Sequence, residues 1–266
     1  MRTLLAWCFV VTSCAGSLAC AQDRPEPSTG TVLVTGSNRG LGLEFARQYA
    51  AAGWRVIATA RDPANAAELD ALAAADADVV VEPLDVRDVA AIRSLAEKYS
   101  GQPIDVLIAN AGVLGELSGQ TLGALDYAVF EEVMAVNVFG ALALAEAFRD
   151  NVASSAQRKI VAITSRSGII SQPGNRGPYF YRASKTALNM SMRVLADDLR
   201  ERGVIVALVS PPPTDTDMLR QLIGAANAAR QAEPPEVIGR VIALIARLTP
   251  DDSGQVLYYD GSMLPW

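Results

Sequence analysis

The sequence predicts an α/β protein, a single doubly wound parallel sheet with helices on both faces. Three observations carry that prediction. From Thr31 onward, short β-branched runs alternate with alanine- and leucine-rich stretches of helical spacing, the pattern of βαβ units. The strand runs are nearly unbroken in apolar residues, as strands buried on both faces are. The first strand–helix junction is crowded with glycine, where such folds seat a ligand.

The elements follow in order. Strands are predicted at "TVLVT", "WRVIATA", "DVVVEPL", "PIDVLIAN", "KIVAITS", "VIVALVS" and "QVLYYDG". Among the helices between them, "GLEFARQYAAAG", "AAELDALAAA" and "AAIRSLAEKY" repeat apolar residues at helical intervals. No linker or repeat interrupts residues 31–266, which read as one domain.

The chain has 266 residues, of which 50% are hydrophobic and 20% charged, enough to bury a core. Its formal net charge of −6 argues against a broad nucleic-acid footprint, which needs a basic face. A local basic pocket for a phosphate stays open. Residues 1–21 read as a secretory signal: Arg2 near the start, the apolar run "LLAWCFVV", and Ala19-Cys20-Ala21 before Gln22. The run is short and interrupted for a membrane-spanning helix, so no transmembrane span is expected. The alternatives are an ordinary flexible end, a mis-assigned start codon, or a lipid anchor on Cys20. The last is weakened by the serine of "SLAC", where an anchor site favours a large aliphatic residue. Residues 22–30, with "DRPEPSTG", are polar and proline-rich and read as a linker. All three cysteines (Cys8, Cys14, Cys20) precede residue 22. Cleavage after Ala21 would leave no thiol, disulfide or cysteine metal site.

The first junction reads "TVLVTGSNRGLGLEFARQYAAAG". Gly36, Gly40 and Gly42 fall where the turn must be tight and the backbone must approach a ligand. The N–H groups and positive dipole end of the following helix make a seat for a pyrophosphate. Glycines also serve ordinary turns, but here a strand precedes and a helix follows in the first βαβ unit. No lysine in the chain follows a glycine, which argues against a P-loop. An NAD site wants a carboxylate at the end of the second strand. Here Ala60 is followed by Arg61 and Asp62, and Asp62 before Pro63 reads better as a helix N-cap. Arg39 and Arg61 bracket the expected place of a 2′-phosphate, which a guanidinium fork suits, and favour NADP over NAD. The plain alternative for each is a solvated surface charge.

The stretch "PYFYRASKTALNM" offers two tyrosines before Lys185 in a chain without histidine. A helix over 181–202 places Tyr181 and Lys185 at i and i+4 on one face, with Tyr179 ahead of it or at the wrong angle. A phenol is a poor acid–base group at neutral pH. A neighbouring ammonium and the cation of an oxidised nicotinamide are expected to lower its pKa. Standing alone, the pair would read as a surface Tyr–Lys contact on an amphipathic helix.

The pair has company. "TGSNRGLG", "NAG" at Asn110, "ITSRSG" with Ser165 and "YRASK" at Tyr181 together resemble the short-chain dehydrogenase/reductase family, in the expected order across 31–266. The resemblance implies a Rossmann sheet and an NADP cofactor. It implies that Ser165 positions a substrate carbonyl, Tyr181 moves the proton and Lys185 holds the nicotinamide ribose. It implies that Asn137 of "VMAVNVFG" steadies a water behind the lysine, and that Asp85 and Val86 flank adenine. The turn residues Gly36, Ser37, Asn38, Arg39, Gly40, Leu41 and Gly42, with Asn110, Ala111 and Gly112, complete the implied cofactor seat. Plain readings are a buried, satisfied amide for Asn137 and a strand-end turn for Ser165.

Finer likeness points to the carbonyl-reductase-like and C-factor-like group, through "VLVTGSNRGLGLEFARQYAAAGWRVIATARDP" and "YYDGSMLPW". "SPPPTDTDM" departs from it: Pro212 stands where glycine is usual and Thr214 where an aliphatic residue meets nicotinamide, while Thr216 keeps the hydroxyl for the carboxamide. Residues 114–120, 167–178 and 218–230 are expected to wall the substrate pocket. A homodimer or homotetramer is a family-level expectation. It suits the two helices "ALDYAVFEEVMAVNVFGALALAEAF" and "ASKTALNMSMRVLADDLR", which are apolar on more than one side, though burial within one chain suits them too.

Two function classes follow. One is an NADP-dependent oxidoreductase acting on a small carbonyl or alcohol substrate. The other is a cofactor-binding regulatory protein on the same fold, since fold does not determine function. The absence of histidine removes a Ser-His-Asp triad and histidine-ligated zinc from consideration, and no metal is expected. The signal segment predicts export to the periplasm or medium; without it the protein would be cytoplasmic. Export predicts a mature chain beginning at Gln22. N-terminal sequencing of the protein from its native host tests this, and a mature chain starting at Met1 or Thr3 contradicts it.

Overall fold

The computed structural model describes residues 29–172 and 177–266. The expected signal and nearly all of the linker, 1–28, lie outside the described residues, as do 173–176 of the expected pocket wall. The elements run β1 (Thr31–Val34), α1 (Gly40–Ala51), β2 (Arg55–Ala60), α2 (Ala67–Ala75), β3 (Val79–Pro83), α3 (Val89–Lys98) and β4 (Val106–Ala109). A two-strand hairpin, β5 (Gln120–Thr121) and β6 (Ala124–Leu125), precedes α4 (Tyr127–Met134). Then come a π-helical segment (Ala135–Gly140), α5 (Ala141–Ala153), β7 (Lys159–Ile163), α6 (Tyr179–Asp198) and β8 (Ile205–Ser210). The chain closes with α7 (Asp217–Ile223), α8 (Ala225–Ala228), α9 (Pro234–Arg247) and β9 (Val256–Tyr258).

All seven predicted strands join one parallel sheet in the order β3-β2-β1-β4-β7-β8-β9. Alternate residues of each strand serve opposite cores. Val32, Val34, Val56, Ala58, Val106 and Ile108 face α1, α2 and α9, packing on Phe45, Leu69 and Val241. Leu33, Ile57, Leu107, Ile160 and Val206 face α3, α5 and α6, packing on Ile92, Phe148 and Leu188. Burial on both faces is why the strands read as continuous apolar runs. Each such side chain contributes about 1.5–3 kcal/mol when fully buried.

The strand order reverses between β1 and β4, and the crevice that this opens lies at the carboxyl ends of the strands. The turn after β1 is packed there: Gly36 has φ of 68° and a Cβ on it would sit 3.0 Å from the Ala111 backbone. A Cβ on Gly42 would lie 2.1 Å from the Gly36 carbonyl oxygen, so the start of α1 closes on its own turn.

Two local expectations are corrected, the capping by Asp62 and the bounds of the helix that carries Tyr181. Asp62 does precede Pro63 at the N-cap of a short 3₁₀ turn, but its carboxylate caps no backbone N–H. It accepts instead from the Asn65 side-chain amide at 2.6 Å. The helix carrying Tyr181 begins at Tyr179 and ends at Asp198, because Pro178 supplies its N-cap and the chain tightens into a 3₁₀ turn at Arg200–Arg202. The rod Tyr127–Ala153 is long and apolar enough to cross a bilayer. It packs instead against α3 and α6, and its Val133, Leu144 and Phe148 belong to the core.

Candidate active site

A cleft of about 1150 Å³ runs along the carboxyl edge of the sheet, larger than the ~300–1,000 Å³ of ordinary small-ligand pockets. Every strand from β1 to β4, with β7 and β8, sends its following loop to this edge. Gly36, Asn38, Arg39, Gly40, Leu41 and Gly42 line it after β1, and Arg61 after β2. Asp85 and Val86 line it after β3, and Asn110, Ala111 and Gly112 after β4. Ser165 comes from the loop after β7, Tyr181 and Lys185 from α6, and Thr214 and Thr216 from the loop after β8. Of the expected residues, Ser37 and Asn137 do not line the wall. The Ser37 hydroxyl donates to the Val34 carbonyl beneath the turn, and its N–H donates to Thr59 O at 2.8 Å.

Ser165 ends its strand as the N-cap of a short 3₁₀ turn, its Oγ accepting from Ser167 N at 3.1 Å. Burial pushes the Tyr181 pKa up, and the nearby Ser165 hydroxyl pulls it back in part. The expected net lowering is therefore not what the protein alone produces. Lys185, its Nζ 5.9 Å from the Tyr181 ring centroid, is itself only 5% exposed. Burial pushes its pKa down to about 8. Desolvation is the largest cause of the shift in both groups.

Lys185 is held from three sides. Its Nζ donates to the Ile163 carbonyl at 2.9 Å. A Cβ on Gly112 would lie 3.6 Å from that nitrogen and 3.4 Å from Asn137 Oδ1, so these polar groups share the space that Gly112 leaves. A Cβ on Gly168 would come within 2.7 Å of the Lys185 backbone, so this glycine lets the loop after β7 lie flat on α6. Asn137 stands in the π segment, a form of helix that widens one turn. Its Nδ2 donates to Val113 O and Ser184 Oγ, both at 2.9 Å, and its Oδ1 accepts from Val113 N at 2.8 Å. The amide is buried and satisfied, and it ties the loop after β4 to α6.

Gln120 escaped the sequence reading except as the edge of a pocket wall. Its Oε1 accepts from both Phe180 N and Tyr181 N at 3.0 Å, while its Nε2 donates to Leu114 O at 2.9 Å. The side chain thus caps α6 from a hairpin sixty residues away and sets the first turn that carries Tyr181. No local pattern in "SGQTLG" announces such a contact.

Arg39 and Arg61 both line the cleft. Arg61 lies near enough to lower the Asp85 pKa, after the larger effect of the Arg87 hydrogen bonds. Arg39 reaches toward Asp217 at 3.4 Å on the far side of the cleft. The two β8-loop hydroxyls are locally engaged. Thr214 donates to Pro212 O at 2.8 Å, and Thr216 donates to Thr214 O and accepts from Leu219 N, capping α7.

The buried ammonium has a pH signature. A base with a lowered folded-state pKa holds fewer protons in the folded than in the unfolded state between the two values, so its contribution to stability rises with pH there. For Lys185 that window runs from about 8 to its ordinary value of 10.5. Below it the desolvation penalty is fully present. Urea unfolding across this range should show wild type gaining on Lys185→Met by about 3 kcal/mol. A difference that stays flat with pH contradicts the burial of a titrating amine.

The chain's relatives agree with this geometry. A profile of the short chain dehydrogenase family matches residues 30–226. C-signal of Myxococcus xanthus is 34% identical over 175 residues, 66% of this chain and 100% of that protein. The 1-hydroxy-2-glutathionyl-2-methyl-3-butene dehydrogenase of Rhodococcus sp. (strain AD45) is 32% identical, over 89% of this chain and 99% of its own. Among solved structures, the NADPH-bound carbonyl reductase from chicken fatty liver superposes with a TM-score of 0.81 at 31% identity, over 90% of this chain and 99% of that one. With its Rossmann-like sheet and the cleft along its edge, this chain belongs to the short-chain dehydrogenase/reductase family of oxidoreductases, in the carbonyl-reductase-like group.

Proposed function

We propose that the protein is an NADP-dependent carbonyl reductase in which Tyr181 is the general acid/base and the substrate is a small carbonyl compound or its alcohol. The observation that carries this reading is that Ser165, Tyr181 and Lys185 open on one cleft, with Lys185 one helical turn from Tyr181 on α6.

The residues of the cleft fit the dinucleotide. Gly36, Asn38, Gly40, Leu41 and Gly42 form a close-packed turn at the N-terminus of α1, which suits a pyrophosphate. Arg61, and Arg39 once it leaves Asp217, would meet a 2′-phosphate. Asp85 and Val86 would flank the adenine, and Asn110 to Gly112 would lie under the riboses. Thr216 would offer its hydroxyl to the carboxamide and Thr214 would meet the nicotinamide, and Pro212 keeps their loop from a glycine-like turn. The NADPH-bound chicken carbonyl reductase supports this assignment. When bound, the dinucleotide supplies the hydride for the carbonyl carbon.

The chain's own residues do the rest. The Ser165 hydroxyl holds the substrate oxygen beside the phenol. Tyr181, its pKa raised by burial, gives its proton to that oxygen. Lys185 offers its amine to the nicotinamide ribose while donating to Ile163 O. Asn137, through Val113 and Ser184, steadies the loop and helix that hold both groups. Exposed Phe139, Leu142, Met190 and Val194 on the α5 and α6 side support self-association as a dimer or tetramer.

A panel of aldehydes and ketones with NADPH tests the assignment. Tyr181→Phe should lower turnover by about a hundredfold to ten-thousandfold, with NADPH still bound by fluorescence titration. Arg61→Ala should reduce the preference for NADPH over NADH. Tight NADPH binding with no carbonyl consumed would favour the regulatory reading instead.

A further inference from the structure

The cleft's charges are unevenly matched. Five carboxylates stand on or beside its wall: Asp62, Asp85, Glu116, Glu132 and Asp217. Four are engaged nearby. Asp62 accepts from Asn65, Asp85 is clamped by Arg87, Glu116 accepts from Ser118 N and Oγ, and Asp217 lies between Arg39 and Arg220. The fifth, Glu132, faces Arg87 electrostatically.

On the other side of the ledger stand Arg166 and Arg182, next in sequence to Ser165 and Tyr181, and both line the cleft. Among the described residues neither has a carboxylate within ion-pair distance. The intervening 173–176 contains no acidic side chain. Arg166 is steadied over the Tyr258 ring, its Cζ 5.3 Å from the centroid. Arg182 is half-buried. It precedes by one turn Thr186, whose Oγ1 donates to Gly168 O. That contact puts the Arg182 side of α6 against the loop after β7 and away from the side that Ser184 shares with Asn137 of the π segment.

A guanidinium cannot lose its charge, and a half-buried one without a counter-ion costs desolvation that an anionic ligand offsets. An acid group would meet planar donors suited to two-point binding. Resting on the carbonyl-reductase reading above, we propose that the physiological substrate is an anionic carbonyl compound, its carboxylate held by Arg182 and Arg166 while its carbonyl lies at Ser165 and Tyr181. The two arginines select the substrate; the reaction at the carbonyl is unchanged, reduction to the corresponding hydroxy acid with NADPH as reductant.

Levulinate and its longer homologues, each compared with its methyl ester, test this in steady-state assays with NADPH. For at least one chain length, kcat/KM for the acid should exceed that for the ester by about tenfold, the worth of one charge-assisted hydrogen bond. Raising the salt concentration should erode this preference. The acid-to-ester ratio should fall about tenfold in Arg182→Gln and fall also in Arg166→Gln, a second variant at an exposed position should the first fail to fold. Esters reduced as well as acids at every chain length, or a ratio that neither variant moves, would overturn the proposal and leave the reductase assignment standing. If NADPH binds and neither acids, esters nor the neutral panel are reduced, both readings fall together.

Discussion

Lys185 carries its amine to a place where only 5% of the residue meets solvent. The protein meets that cost with the Ile163 carbonyl, with the opening left by Gly112 and with the Asn137 amide close by. Each of these belongs to a different element: the end of β7, the loop after β4 and the π segment. The amine bonds α6 to the end of β7, while the Asn137 amide, through Val113 and Ser184, bonds the loop after β4 to the same helix. Tyr181 sits one turn earlier on that helix, so its hydroxyl is aimed by the same contacts. Gln120 adds an independent anchor by taking the free N–H groups of the first turn of α6.

The polar character of the cleft changes from floor to mouth. At the floor, Lys185 is bonded to the Ile163 carbonyl of β7, Ser165 Oγ accepts from Ser167 N, and Asn137 is bonded to Val113 and Ser184. At the mouth, Arg39 and Asp217 make an exposed pair of the kind that adds little stability and is easily exchanged for another partner. A rigid floor suits proton movement, for which small displacements matter. A mouth closed by weak pairs lets a charged ligand replace one protein partner with another as it enters.

Much of the fold was legible because it rests on period. Seven apolar runs of β-branched residues became seven parallel strands, and the glycines at residues 36, 40 and 42 marked the turn at the strand reversal. The Tyr181–Lys185 spacing put both side chains on one face of a helix, and both line the cleft. What escaped depends on contacts distant in sequence. The capping of α6 by Gln120 joins two elements with no local signature, and the π segment around Asn137 looks like ordinary helix in "VMAVNVFG". The direction of Arg39 is decided by Asp217, far along the chain. In the protein alone the phenol's pKa is raised by burial, which escaped the sequence because charge proximity can be read from spacing, whereas the depth of burial cannot.

The central claim is that the buried amine and the phenol beside it address the reactive end of a dinucleotide seated on the β1–α1 turn. A crystal structure of the protein with NADP+ tests it most directly. The account predicts the pyrophosphate over Gly40 and Gly42, the nicotinamide ribose within hydrogen-bonding distance of Lys185 Nζ, and the Tyr181 hydroxyl facing the nicotinamide ring beside Ser165. A nucleotide bound elsewhere, or a Tyr181 hydroxyl turned away from the ring and from Ser165, would contradict it.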